Sequence, residues 1–466
     1  MSDYRRGFET LDQEIAEPAL PIEGTLPDWL SGTLIRNGPA QFEVGDQDYN
    51  HWFDGHAMLH AFRVADGTVG YRNRFLQTKS RTEALEQGEI ARSEFATDPC
   101  RSLFGRVMSV FNPKPTDNAS INVAQIDDAY VALTETPIPV AFDPETLETA
   151  GVVEYEDDLD APMSTAHPLV EPETGRTITY LTEFGRPSRY HVAAIAPGSR
   201  SRDILATVDV DRPRYMHSFG MTERYVILAE WPLVVDPLDL LLRGRPFIEN
   251  FEWQPGLGTR VRILRKEDGA EVATCTADAA FAFHHVNAFE RGDEVVCDVV
   301  AYPDASIIDA LSLDRLRGDE PTPGTGHLRR YRLPLQSGTA SSTVLSDTRL
   351  ELPRIHEAAA RARPYQSVYG VGERREGTFT DQLVKIDIGT GAAQVWREVG
   401  TYPGEPVFVP RPDGAAHDEG VVLSVVLDPE ADRSFLLVLD AASFEEQARA
   451  TVPHAIPYGF HGQFVQ

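Results

Sequence analysis

A hairpin unit that recurs along the chain constrains its fold more than any other feature. Each copy runs strand, Asp, turn, strand; the copies are residues 140–152 (VAFDPETLETAGV), 384–396 (VKIDIGTGAAQVW) and 438–450 (VLDAASFEEQARA). The Asp side chain can accept a hydrogen bond from a following amide, which starts the turn. Asp387 and Asp440 lie 53 positions apart, and Asp143 precedes Asp387 by 244, close to five such steps. A hairpin-bearing period near 50 is typical of the four-stranded blade of a β-propeller.

Short apolar runs, many alternating with period 2 and flanked by Gly, Pro, Asp and Asn, predict strands along most of the chain. The clearest runs are residues 176–184, 225–231, 261–265, 294–302, 420–427 and 435–439. Only residues 304–317 and 356–363 have the spacing of amphipathic helices. A β-sandwich has far fewer strands, and a doubly wound fold needs alternating helices. The pattern therefore predicts an all-β chain with one closed propeller domain spanning residues 1–466, interrupted by long insertions.

The charge balance excludes one class of partner. The chain has 72 acidic residues against 43 basic ones, a net charge of −29, and only four of the basic residues are lysines. Such a charge repels phosphate backbones, so no nucleic-acid partner is expected. The acidic residues are dispersed, which is typical of a salt-adapted, halophilic protein whose self-repulsion is screened in a salt-rich cytoplasm. An acidic member of an ordinary family is the alternative.

Cysteine usage and hydropathy indicate a cytoplasmic protein. Cys100, Cys275 and Cys297 are widely spaced and form no CxxC pair, which excludes a zinc ribbon and fits a reducing compartment. The first 14 residues lack the apolar core of a secretory signal. No run approaches the roughly 20 apolar residues of a spanning helix. We therefore expect a cytoplasmic chain that is soluble or, at most, peripheral on the inner face of a membrane.

Four of the thirteen histidines share a setting of aromatic or small apolar neighbours: His167 (AHP), His217 (YMHS), His284 (FAFH) and His461 (GFHG). His167 and His217 lie 50 positions apart, which would place them at equivalent points of adjacent blades. Four inner strands that each direct one imidazole toward the axis could surround one ion. Imidazole suits Fe, Zn, Cu and Ni, so the residue types leave the metal open. The alternative is that each histidine packs in the core and hydrogen-bonds a carbonyl.

The other histidines fit a metal site less well. His56 and His60 would share a helix face, but the surrounding pattern predicts a turn and a strand, which separates them too far to chelate with His51. His285 follows His284 on a strand and faces the opposite way. His191 has no evident acidic partner in the sequence. Four more are in turn-rich segments and are expected to be solvated: His327, His356, His417 and His454.

Ordered motifs along nearly the whole chain resemble those of the carotenoid cleavage oxygenase family, which includes carotenoid and apocarotenoid dioxygenases and a retinoid isomerase. The motifs are residues 32–39 (GTLIRNGP), 52–62 (WFDGHAMLHAF), 132–149 (ALTETPIPVAFDPETLET), 283–290 (FHHVNAFE), 351–355 (ELPRI), 402–410 (YPGEPVFVP), 420–427 (GVVLSVVL) and 456–464 (IPYGFHGQF). His56 departs from relatives that carry a polar or acidic residue at that position, which is not a ligand position.

The resemblance implies a seven-bladed propeller, capped by loop and helical insertions, with one Fe(II) per subunit on its axis. By motif the ligands are His167, His217, His284 and His461. The family's glutamates behind the ligands correspond to Glu135, Glu351 and Glu405, which would accept hydrogen bonds from three of the imidazoles and offset the charge of the ion. Glu135, between Thr134 and Thr136, could otherwise be a surface acid, but its apolar setting favours a buried partner.

The activity implied is oxidative cleavage. Such an enzyme adds O2 across a conjugated C=C bond of a hydrophobic polyene, a carotenoid or apocarotenoid, and releases two aldehyde or ketone products. No general base is needed and no protein partner is inferred. Stilbenoid cleavage at the same iron site is the first alternative, for which Lys114 could contact a phenol or could be a solvated loop residue. A retinoid isomerase and a non-catalytic propeller scaffold are the others.

Residues 231–253 are the best candidate for contact with a lipid surface, because a carotenoid must reach the site from a membrane. The apolar residues proposed for this contact with one leaflet are Leu238, Leu240, Leu241, Leu242 and Phe247, and Arg243 and Arg245 could meet headgroups. A helix that covers the propeller face is the alternative interpretation of this segment.

Overall fold

The predicted strands are present and pair in antiparallel order. A computed structural model describes residues 4–99, 115–322, 324–336, 338–414 and 416–466, so Cys100 and Lys114 lie outside the described residues. The sheets comprise seven blades. The seven-stranded sheet is two blades joined by one long strand, Ser341–Arg354, whose residues 341–350 pair with the preceding strand and whose last four residues pair with the following one. The propeller prediction is confirmed, and each of the six apolar runs lies within a strand or extends at most one residue beyond either end of it.

Blades 1 to 4 occupy most of the first 277 residues. Blade 1 contains Ala16–Glu17, Gly32–Gln41, His56–Ala65, Thr68–Phe75 and Gly462–Val465. Blade 2 contains Asn122–Ile126, Ala129–Leu133, Val140–Phe142 and Thr149–Val152. Blade 3 contains Met163–Ser164, Leu169–Val170, Thr177–Glu183, Ser188–Ile195 and Arg202–Val210. Blade 4 contains Gly220–Met221, Tyr225–Glu230, Thr259–Arg265 and Glu271–Ala277.

Blades 5 to 7 complete the ring. Blade 5 contains His285–Arg291, Glu294–Ala301, Gly326–Pro334 and the first part of Ser341–Arg354, whereas blade 6 contains the end of that strand with Ser367–Gly372, Gln382–Asp387 and Ala393–Trp396. Blade 7 contains Tyr402–Pro403, Val407–Pro410, Gly420–Asp428, Arg433–Asp440, Glu446–Thr451 and, from the start of the chain, Ile22–Gly24. Two short ribbons lie outside the blades: Glu43–Val44 with Gln47–Asp48, and Leu233–Val234 with Glu252–Trp253.

The ring closes by exchange of strands between its first and last blades. Gly462–Val465 pairs with Gly32–Gln41 in blade 1, and Ile22–Gly24 pairs with Glu446–Thr451 in blade 7. Each end of the chain thus completes a blade built mainly by the other end. Because a closed ring leaves few free strand edges, this exchange satisfies backbone groups that an open sheet would expose.

The hydrophobic core lies between neighbouring blades. Ile178 and Val192 of blade 3 pack in one cluster with Val226 and Leu228 of blade 4. Leu34, Phe62 and Val64 of blade 1 likewise cluster with Leu423 and Leu436 of blade 7. Burial on both faces explains why several strands are nearly continuous apolar runs.

The three repeated Asp residues begin hairpin turns, as predicted. Asp143 Oδ1 accepts hydrogen bonds from the amides of Glu145 and Thr146. Asp387 and Asp440 bind the amides three residues downstream at 2.7 and 2.8 Å. Local turn chemistry therefore recurs in blades 2, 6 and 7.

The helices within the described residues are short: Lys79–Gln87, Pro237–Leu242, Ser306–Ala310, Leu313–Arg317 and Glu357–Ala360, with 3-10 turns at Tyr4–Phe8, Trp52–Asp54, Ile248–Asn250 and Pro255–Leu257. The prediction of a single helix over residues 304–317 is wrong, because the structure has two short helices there. The helix breaks at Leu311 and Ser312 because residues 50–52 pair with this point: His51 forms a β-bridge with Ser312, and the Trp52 amide donates to the Leu311 carbonyl. No helix in the described ranges is long and apolar enough to cross a membrane.

Candidate metal centre

Four histidines far apart in sequence meet in the interior of the ring. His167 follows Met163–Ser164 in blade 3, His217 precedes the first strand of blade 4, and His284 and His461 each immediately precede a strand. One ring nitrogen from each lies within 4.8 Å of the others. Within the described ranges these residues form the one group of three or more His, Cys, Asp or Glu side chains able to hold a metal ion.

The protons on three of these rings are fixed by carboxylates. The Nδ1–H of His217 donates to Glu135 at 2.7 Å, that of His284 to Glu351 at 2.6 Å, and that of His461 to Glu405 at 2.7 Å. An ionised carboxylate only accepts, so Nδ1 carries the proton in each ring and Nε2 keeps a free lone pair. These partners fix ring orientation and increase ligand basicity.

The Nε2 atoms face one another in a way that suits a cation. The Nε2 atoms of His167 and His217 are 2.8 Å apart, and those of His284 and His461 are 3.1 Å apart. Two lone pairs directed at each other repel unless a cation lies between them. Burial, followed by the other three imidazoles, holds the pKa of His167 well below its usual value. Burial also lowers the pKa of His461 to about 4. The rings of His167 and His461 are therefore neutral, and a set of four imidazole nitrogens fits a metal ion.

The glutamates are held by further polar contacts. The hydroxyl of Tyr215 donates to Glu135 at 2.9 Å, and that of Tyr302 donates to Glu351 at 3.0 Å. Burial raises the pKa of Glu351, but His284 and its other donors outweigh burial, so the pKa lies below its usual range. Glu351 is therefore ionised near neutrality.

Glu405 is fully buried and contacts two arginines. Arg36 donates to its Oε2, and a guanidinium nitrogen of Arg354 lies 3.8 Å from its Oε1. Burial raises the pKa of Glu405, but Arg354, His461 and Arg36 together more than offset this, and the pKa falls well below its usual range. Glu405 therefore stays ionised although its side chain is fully buried.

The remaining histidines have other contacts. His51 Nε2 contacts the Ile308 carbonyl, His56 contacts the Tyr49 hydroxyl, and His60 contacts the Tyr71 hydroxyl. The strand His56–Ala65 separates the last two, as expected. Two other expectations are wrong. His191 does have an acidic partner, Glu183, at 3.0 Å, and His454 is not simply solvated but binds Tyr71 at 3.0 Å.

Two cavities adjoin the histidine cluster, and both are lined by His217, Phe53 and Ile121. The larger, about 1400 Å³, reaches from Glu135 to Leu238 and Phe247. The smaller, about 100 Å³, is bounded by mainly apolar side chains that include Phe283, Tyr302 and Phe460, together with His284 and His461. A long apolar molecule that spans both cavities would pass beside His217, His284 and His461.

Aromatic residues from two insertions cover the larger cavity. Phe95 packs against Phe53 at 5.2 Å between ring centroids and against Tyr215 at 6.0 Å. The amide of Ile248 donates to the Phe95 carbonyl, which joins the two insertions. Four of the residues proposed for membrane contact line this cavity: Leu238, Leu240, Leu242 and Phe247. Leu242 is 77% exposed and Leu238 41% exposed.

Comparison with known proteins identifies the family. A family model described as retinal pigment epithelial membrane protein matches residues 8–466. The chain belongs to this family of carotenoid oxygenases. It is 35% identical to a "Carotenoid-cleaving dioxygenase, mitochondrial" of Macaca fascicularis, over 95% of this chain and 91% of the relative. It is 32% identical to a "Beta,beta-carotene 15,15'-dioxygenase" of Rattus norvegicus, over 95% of this chain and 88% of the relative.

Solved structures of carotenoid oxygenases have the same architecture. The cobalt-substituted apocarotenoid oxygenase of Synechocystis aligns with a TM-score of 0.89 and 27% identity, covering 100% of this chain and 98% of the other. A chimera of this oxygenase with the retinal pigment epithelial protein aligns with a TM-score of 0.87 and 26% identity, with the same coverage. Both alignments cover the whole chain, so the similarity to these structures includes the complete ring of blades.

The sequence predicted the four histidines and the three glutamates that meet in this carotenoid oxygenase. Glu135, however, lies just beyond the strand Ala129–Leu133 and not within a strand. Arg36, Arg354, Tyr215 and Tyr302 were not predicted. Both arginines lie inside motifs already singled out, GTLIRNGP and ELPRI. A charged side chain in an apolar strand requires a buried partner, and this signal could have identified both arginines.

Proposed function

We propose that this chain is an Fe(II)-dependent dioxygenase that cleaves a conjugated C=C bond of a carotenoid or apocarotenoid with O2 to give two aldehyde or ketone products. The observation that carries the proposal is the convergence of four imidazole nitrogens beside two mainly apolar cavities. The names of the relatives, which are carotenoid dioxygenases and an apocarotenoid oxygenase, support the substrate class.

Each group of residues has a distinct task in this proposal. His167, His217, His284 and His461 would hold one iron ion per chain. When bound, ferrous iron supplies the activation of O2 beside the double bond. Glu135, Glu351 and Glu405 keep three of the rings oriented and neutralise charge. The apolar walls around Phe53 and Ile121 exclude water and position the polyene, so the shape of the cavities selects the bond that is cleaved.

We also propose that the Pro237–Leu242 helix and its flanks contact one leaflet of a membrane. The exposed Leu238 and Leu242 line the larger cavity together with Leu240 and Phe247. Leu241 belongs to the same helix. A hydrophobic substrate could then enter the cavity directly from lipid.

The activity is tested with three substrates. Fe(II)-loaded protein is incubated aerobically with β-carotene, an apocarotenal or resveratrol, and products are identified by mass spectrometry. We expect two carbonyl fragments from a polyene, with O2 consumed, and none from protein stripped of metal. Carbonyl fragments from resveratrol alone would indicate a stilbenoid oxygenase instead. A change of double-bond geometry without O2 uptake would indicate an isomerase.

A further inference from the structure

The three carboxylates behind the histidines have different second partners. Glu135 and Glu351 each accept a hydrogen bond from a neutral tyrosine hydroxyl. Glu405 instead contacts two guanidinium groups. Its side chain is fully buried, and those of Arg36 and Arg354 are only 6% and 18% exposed. The second partners of Glu405 are therefore positively charged, whereas those of Glu135 and Glu351 are neutral.

The arginines also hold the backbone on both sides of His461. Arg36 donates to the Phe460 carbonyl at 2.8 Å, and Arg354 donates to the Gly462 carbonyl at 2.9 Å. The Gly462 amide donates to Glu405 at 3.1 Å. We call Arg36 and Arg354 the arginine clamp. It joins the carboxylate, the imidazole and the adjacent peptide groups in one network.

The clamp changes the charge that an ion in the site experiences. Three carboxylates alone would place three negative charges around it, but the clamp contributes two positive ones. One net negative charge remains, on side chains that are at most 18% exposed. A positive charge near a metal ion opposes a further increase in the charge of that ion, and the interaction is strong where solvent screening is weak. The arrangement therefore favours the lower of two oxidation states.

We propose that the arginine clamp biases the bound iron toward the ferrous state by neutralising Glu405. The proposal rests on the proposed function, because it takes iron as the metal. Arg36 and Arg354 act through Glu405 and His461, so they are positioning residues and do not touch substrate. The clamp therefore contributes positive charge to the site in addition to holding the backbone around His461.

The test is a redox titration of Fe-loaded protein with hexacyanoferrate(III), which accepts one electron as each Fe(II) becomes Fe(III). The Fe(III) fraction is followed by electron paramagnetic resonance. In Arg354→Met, Arg36 still pairs with Glu405 but one positive charge is gone. We expect about a tenfold higher Fe(III)/Fe(II) ratio at a fixed potential, a midpoint about 59 mV lower for a one-electron couple. Arg354→Lys keeps the charge and should stay within about threefold of the wild type.

Arg262→Met is the matched control. Arg262 is 12% exposed and pairs with Glu230, another fully buried glutamate that keeps further arginine partners, Arg214 and Arg260. These residues are not among those that line the two cavities. The midpoint of this variant should equal that of the wild type. An equal shift in Arg262→Met and Arg354→Met would overturn the proposal.

The affinity of the variants for Co(II) distinguishes the loss of a positive charge from the loss of a structural contact. Removal of a positive charge should leave Co(II) binding to Arg354→Met as tight as in the wild type or tighter, whereas loss of a purely structural contact should weaken it. Weaker Co(II) binding, an unchanged midpoint in Arg354→Met, or equal shifts in the Met and Lys variants would each overturn the proposal. Failure of wild-type protein to cleave any polyene would contradict the proposed function alone and would leave the clamp result intact.

Discussion

At the scale of single residues, His284 and His285 are adjacent imidazoles in different surroundings. His284 directs Nε2 to His461 and Nδ1 to Glu351. His285 contacts the hydroxyl of Ser218 at 2.9 Å, and its ring lies 6.2 Å from that of Trp231. Neighbouring side chains at the start of a strand point to opposite sides, so one ring reaches the cluster and the other packs between blades.

Replacement of each histidine tests which one binds metal. His284→Ala should weaken iron binding by about 100-fold or more, since loss of a ligand exceeds the 10- to 100-fold effect of losing a partner behind one. His285→Ala should retain one iron per chain, although the space left between the blades should lower the melting temperature. Iron per chain is measured by mass spectrometry of dialysed protein. Retention by the first variant and loss by the second would refute the assignment.

At the scale of elements, the strand Gly462–Val465 both closes the ring and carries His461 at its start. It pairs with Gly32–Gln41 over four residue pairs. Gly462 packs so closely on this neighbour that a Cβ would overlap the Ile35 carbonyl oxygen and crowd the Arg36 side chain. The position therefore requires glycine because of close approach, and any shift of this strand displaces His461 from the histidine cluster.

Gly462→Ala tests this coupling of closure to metal binding. We expect a loss of about 1–3 kcal/mol in unfolding free energy from overpacking, together with weaker metal binding. The measurements are chemical denaturation and Co(II) titration. Gly256→Ala serves as the control, because nothing lies within 4 Å of a Cβ at that position. Normal metal affinity in a destabilised Gly462→Ala protein would argue against the coupling.

The Pro237–Leu242 helix is the element whose proposed role is contact with lipid. Leu242→Asp should reduce binding to phosphatidylcholine vesicles by about tenfold or more, since burial of one leucine side chain contributes about 1.5–3 kcal/mol. Vesicle co-sedimentation measures the effect. Val399 is 80% exposed, and Val399→Asp adds the same charge at a position that does not line the larger cavity. If both variants bind vesicles as the wild type does, this helix is not the contact.

At the scale of the whole molecule, the net charge of −29 opposes the compact state. The Debye length falls from about 10 Å at 0.1 M salt to about 3 Å at 1 M. The melting temperature should therefore rise between these concentrations of KCl, as expected of a salt-adapted protein. Scanning calorimetry measures it, and choline chloride at equal ionic strength separates screening from specific ion binding. A melting temperature that falls or stays constant would contradict salt adaptation.

The same calorimetric scan tests the domain organisation. We propose that residues 1–466 form a single domain, because the first and last blades exchange strands and neighbouring blades share clusters of buried side chains. A ring of this kind should unfold in one transition. Two separated transitions would indicate two units.

The sequence by itself determined the repeating blade and the residue set of the site. Hairpin turns at Asp143, Asp387 and Asp440 and the alternating strands depend on contacts between residues only a few positions apart, so they are visible along the chain. The three glutamates, His284 and His461 were found because they lie in ordered motifs, whereas His167 and His217 were found by their apolar neighbours and their spacing of 50 residues. The broken helix at Leu311 was not predictable, because residues distant in sequence compete there for its backbone groups.

Only the tertiary structure decided how these residues act together. The network at the metal site joins residues that are far apart in the sequence. Closure of the ring brings Arg36, Glu405 and His461 together with Arg354. The distances between Nε2 atoms and the two cavities that meet beside them likewise depend on the packing of seven blades. Spacing along the chain encodes the period of the ring. The direction of each side chain within it follows from contacts between blades that local sequence does not specify.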